Sequence, residues 1–118
     1  MAALPALTLF GLTEFERICQ HWQVNHSEYI EMLRRHALRL VEKNGRVTID
    51  DVRDEMEALH IPMPSDIGAD DRIFGHVLRG CKELRIVGFE PTRRIEHAKR
   101  VGTTRAQISI YINKADPQ

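Results

Sequence analysis

Apolar residues recur at helical spacing in four stretches of this chain, and apolar and polar residues alternate in a fifth. Phe15, Ile18, Cys19 and Trp22 line one face of a short helix expected over 13–23. Thr13 and Glu16 stand at its start in capping-box spacing. Ile30, Leu33, Ala37, Leu40 and Val41 make a stripe on a second helix, capped by Asn25 or Ser27, that runs to Lys43. Asn44-Gly45 then stops it, because glycine enters the left-handed region without a Cβ penalty. Val52, Met56 and Leu59 line a third helix over 49–61. Thr48 is its cap, Asp50 and Asp51 suit the positive end of its dipole, and Pro62 and Pro64 close it.

The fourth helix, 70–84, carries Ile73, Phe74, Val77, Leu78, Cys81 and Leu84 inward. Its outer side holds Arg72, Gly75, His76, Arg79, Gly80 and Lys82. Two glycines in one helix cost roughly 1 kcal/mol each relative to alanine, so either a ligand's backbone or a neighbouring helix comes close there. Beyond Leu84 the pattern changes to strand. Residues 85–89 and 106–112 should pair as an antiparallel hairpin, and Arg46-Val47-Thr48 is long enough for a strand stub only. The connector is longer than a hairpin loop requires and carries Arg93, Arg94, Lys99, Arg100 and Arg105 against Glu90 and Glu96.

At 118 residues the chain has room for one domain, mainly α with a small antiparallel β-hairpin. Residues 1–24 read as an N-terminal arm and short helix that dock on the body or join two copies, 25–113 as the domain proper, and 114–118 as a frayed tail. Leu4, Leu7, Leu9 and Phe10 of the arm need cover, which makes a homodimer an expectation. Lys+Arg and Asp+Glu are both 17, yet residues 85–118 hold 7 cations and 3 anions, an asymmetry that points to an anionic partner at one end. Cys19 and Cys81 are too few for a disulfide framework, and the apolar start has no basic n-region, so a cytoplasmic protein is expected. His21, His26, His36, His60, His76 and His97 make no metal-ligand spacing with either cysteine. No phosphate-cradling glycine loop or nucleophile elbow is present. No enzyme activity, metal or cofactor is expected.

Helix, strand stub, helix, turn, helix and hairpin is the element order of the winged helix-turn-helix domain, which the chain resembles from about Arg34 to Ile112. The likeness rests on Val47-Thr48-Ile49-Asp50-Asp51-Val52, Phe74-Gly75-His76-Val77-Leu78-Arg79, Val87-Gly88-Phe89-Glu90-Pro91-Thr92-Arg93-Arg94 and His97-Ala98-Lys99-Arg100. More narrowly it is similar to small winged-helix proteins of bacteriophage and prophage genomes. The resemblance implies duplex DNA binding by a phage or mobile-element regulator or replication accessory factor. Helix 70–84 would enter the major groove, with Arg72, His76 and Arg79 meeting base edges and Lys82 nearer the backbone. Wing residues Arg93, Arg94, Lys99, Arg100 and Arg105, within 91–105, would meet phosphate or the minor groove. That grip requires the wing arginines to lie beside the helix and to be free of acidic neighbours, and Asp70, Asp71 and Glu83 to be neutralised. The alternative is a protein-interaction adaptor on the same fold, with the arm and first helix as its surface.

Overall fold

Thr13 opens the first helix: its hydroxyl accepts from the Glu16 amide at 3.0 Å, and the Glu16 carboxylate accepts from the Thr13 amide. The computed structural model describes residues 13–67, 72–94 and 107–116. The arm before Thr13, Asp70 and Asp71, and the connector from 95 to 106 with Lys99, Arg100 and Arg105 lie outside the described residues.

Helix α1 (Glu14–Asn25) is followed after the single residue His26 by α2 (Ser27–Asn44). Neither Asn25 nor Ser27 takes the capping place expected of it, because α1 runs through Asn25 and Ser27 is already helical. His26 stands at the N-cap and its side chain makes no capping bond. Gly45 ends α2 at φ 81°, as its residue type anticipated. Helix α3 (Ile49–Ala58) starts on a second capping box, with Thr48 and Asp51 exchanging bonds of 3.3 and 2.9 Å. It stops three residues short of the expected 61. The Ile61 amide bonds the Met56 carbonyl and the His60 amide the Glu57 carbonyl, while His60 sits at φ 56°. This is a Schellman closure with histidine in the position glycine usually holds, so no sequence signal announced it.

Helix α4 (Arg72–Arg79) is shorter than 70–84. The chain turns at Gly80–Glu83, and Leu84 is the first residue of strand β1 (Leu84–Pro91), bonded across to Asn113 of β2 (Gln107–Asn113). Lys82 therefore belongs to a turn. The hairpin is antiparallel, with one register slip between Ile86 and Gly88. Val47 joins it through a reciprocal pair of 2.9 Å bonds to Tyr111, so β2 lies between the stub and β1.

Four helices and this hairpin share one core among the described residues. Helix α2 touches α1, α3, α4 and β2. Ile30, Leu33, Val47, Val52, Ile73, Val77 and Leu78 are all but inaccessible, and burying each contributes about 1.5–3 kcal/mol. Trp22, at 4% exposed, anchors α1 in the same cluster, so α1 docks within its own chain. No helix among the described residues is long and apolar enough to cross a membrane.

Candidate nucleic-acid interface

The inner side of α4 is buried as its periodicity requires, and its outer side is divided in two. Helix α1 covers one flank. Arg72 lies with its guanidinium carbon 5.3 Å from the centre of the Phe15 ring. The half-buried His76 ring is 6.2 Å from that of Trp22, with Nε2 buried and unpartnered among the described residues. Burial, then the charges of Arg34 and Arg79, hold the His76 pKa below its ordinary value. His76 is thus packed as a neutral ring under α1, not turned outward as a base reader. A groove of about 560 Å³ runs between Phe15, Cys19 and Gln20 of α1 and His76, Arg79 and Gly80.

The other flank is open among the described residues, where a Cβ at Gly75 would meet nothing within 4 Å, whereas one at Gly80 would lie 2.6 Å from Arg34 Nη2. The two glycines therefore have separate causes: Gly80 makes room for Arg34, and Gly75 leaves α4 bare beside the exposed Arg79. Arg34 itself is a helix cap. Its Nε donates to the Val77 carbonyl at 3.2 Å, placing a cation at the negative end of α4, and its Nη1 bonds Glu31 at 3.1 Å. Arg34, Arg35 and Lys82 share a shallow groove with Glu31 and Glu83.

The end of β1 departs from the grip that the resemblance implied. Asp50, 1% exposed in the first turn of α3, accepts from the Thr92 hydroxyl at 3.1 and 3.0 Å and from the Arg93 amide at 2.8 Å. The Thr92 hydroxyl in turn accepts from the Arg94 amide at 3.1 Å. Arg93 bonds Asp51 at 3.2 Å and Asp54 at 2.9 Å, and Arg94 bonds Asp54 at 2.8 Å and Glu57. The Asp51 bond leads the causes that raise the Arg93 pKa. For Arg94, burial opposes the charge, but the Glu57 bond and the surrounding acids outweigh it and raise the pKa. Arg93 and Arg94 are therefore ion-paired with acidic neighbours on α3, where the resemblance implied phosphate contacts. The cause is tertiary: Asp51, Asp54 and Glu57, spaced along one side of α3, face the strand end that brings the arginines in.

Of the expected contact residues, Arg72, Arg79 and Lys82 are exposed, His76 is covered, Arg93 and Arg94 are paired, and Lys99, Arg100 and Arg105 lie outside the described residues. Sequence reasoning missed the Asp50 clamp and the capping role of Arg34, since both partners are over forty residues away. It also compared the histidines with the cysteines alone, whereas the fold brings His21, His26 and Asp66 together. Comparison with known proteins finds no matching family model, no matching curated protein and no matching solved structure.

Proposed function

We propose that the chain is a winged helix-turn-helix protein that binds duplex DNA through the open side of α4, with Arg79 reaching base edges and Lys82 the backbone. The observation that carries this reading is the bare backbone at Gly75 beside exposed Arg79, on the third helix of an α2–Val47–α3–α4–β1–β2 order. An unobstructed helix surface lets the groove edge approach, and an arginine fork can bond guanine O6 and N7 together, a contact that discriminates by about 1–3 kcal/mol. The pairing of β2 with the stub on one edge and β1 on the other supports the winged-helix assignment. In this reading Arg93 and Arg94 are wing-root anchors that orient the connector.

Fluorescence anisotropy against mixed-sequence duplexes at two salt concentrations tests this. Arg79→Ala with Lys82→Ala should weaken binding at least tenfold and flatten the salt slope by roughly 0.9 for each phosphate that is no longer neutralised. Absence of binding at low salt, or indifference to both substitutions, overturns it. A second reading, a protein-binding adaptor, is favoured by the ion-paired wing root and by Ile86 and Phe89, 45% and 65% exposed on β1. Phe89→Asp would then abolish partner capture and leave DNA affinity unchanged.

A further inference from the structure

His26 occupies a position where a capping residue is worth about 1 kcal/mol, between two residues that cap well, and it makes no capping bond. Its side chain reaches the turn that leads to α4, where Nε2 lies 2.8 Å from Asp66 Oδ2. The His21 ring stands 6.4 Å from that of His26 at 71°. The Asn25 amide steadies it, lying 3.1 Å from His21 Nδ1 and bonding the His21 carbonyl at 2.9 Å. One ligand atom from each of His21, His26 and Asp66 falls within 4.8 Å of the others.

We infer that His21, His26 and Asp66 form a binding site for a divalent transition-metal ion of the zinc class. Two imidazoles and one carboxylate are a borderline donor set that suits zinc, cobalt, nickel or copper and is poor for magnesium or calcium, which prefer oxygen. Metal–ligand bonds of about 2.0–2.1 Å in a tetrahedron separate the ligand atoms by roughly 3.3 Å. His26 is the largely buried, fixed member, while Asp66 is more than half exposed and His21 is exposed. Rotation of those two side chains, which gives up the contact between Asn25 and His21 Nδ1, closes the remaining gap, and the His26–Asp66 pair opens slightly to admit the ion. Water completes the coordination on the solvent side.

The ligands come from the last turns of α1, the α1–α2 joint and the 62–67 segment. Metal bound there ties α1, which covers a flank of α4, to the turn preceding α4, and its binding energy adds to folding. The inference is independent of what α4 binds.

The test uses the full chain without a histidine tag, stripped with a chelator and titrated with Zn²⁺ or Co²⁺. One equivalent of Zn²⁺ should raise the Tm by several degrees, and Co²⁺ should develop visible d–d absorption. His21→Ala and Asp66→Asn should each weaken binding at least tenfold, and His21→Ala, at an exposed position outside the His26–Asp66 bond, should leave the metal-free Tm unchanged. In NMR spectra, Zn²⁺ should move the ring signals of His21 and His26 and leave those of His36 and His60 in place. Absence of a Tm shift and of d–d bands overturns the site. So does unchanged affinity in both variants, or selective movement of other histidine signals.

Discussion

Replacing Asp50 with alanine removes the group that fastens the end of β1 to α3. Its carboxylate, 1% exposed, takes two donors, the Thr92 hydroxyl and the Arg93 amide, all at 3.1 Å or less. Hydrogen bonds to a charged partner contribute about 1.5–3 kcal/mol each. Thr92 is half-buried and Arg93 exposed, so water recovers part of that loss, and the net cost of Asp50→Ala should be about 2–4 kcal/mol. At about 4 °C per kcal/mol for a chain of 118 residues, the Tm should fall by about 8–16 °C. Asp50→Asn keeps one acceptor oxygen and should cost about half as much. Urea denaturation of Asp50→Ala, Thr92→Ala and the double variant measures the coupling, which should be about 1–2 kcal/mol because the two side chains share one bond. A loss below about 0.5 kcal/mol for Asp50→Ala, or additivity of the two variants within that margin, would refute the claim that this carboxylate holds the end of β1.

Four further outcomes follow from the geometry. Gly75→Ala should stabilise the fold by about 0.5–1 kcal/mol, because the new methyl meets no neighbour among the described residues, while weakening duplex binding if the groove edge approaches there; thermal melts and anisotropy read the two effects separately. Gly80→Ala should instead destabilise by about 1–2 kcal/mol by displacing Arg34 from the Val77 carbonyl, and an unchanged urea midpoint would contradict the cap. Burial, with Arg34 and Arg79, depresses the His76 pKa, so the unfolded chain takes up that proton first. The His76 contribution is intact above its ordinary value of 6.5 and is lost as pH falls below it; His76→Leu should flatten the urea midpoint between pH 7.5 and 5.5, and an unaltered profile would sink this. Burial and the Glu83 hydrogen bond push the Cys81 thiol up to about 11, so maleimide at pH 8 should leave Cys81 unlabelled in the folded protein, as mass spectrometry of peptides will show.

Local rules carried much of the fold in the sequence. The Thr13–Glu16 box, the Gly45 stop, the Thr48 start and the apolar stripes each involve residues within a few positions of one another, and short-range sterics and hydrogen bonding decide them without help from the rest of the chain. The alternation over 106–112 likewise anticipated β2 and its antiparallel partner. Helix ends were less legible: His60 closes α3 in a conformation its side chain does not advertise, and α4 stops at Arg79 because the chain turns over Gly80–Glu83 to bring Leu84 into register with Asn113 of β2. Which cations remain available was a tertiary matter throughout. Arg93, Arg94 and Arg34 are spoken for by groups 37 to 43 residues away, and His76 lies under a ring contributed by Trp22. Charge and spacing declare that a side chain could meet a partner, but folding brings distant acids, carbonyls and rings together first, and those pairings determine what is left for anything outside the molecule.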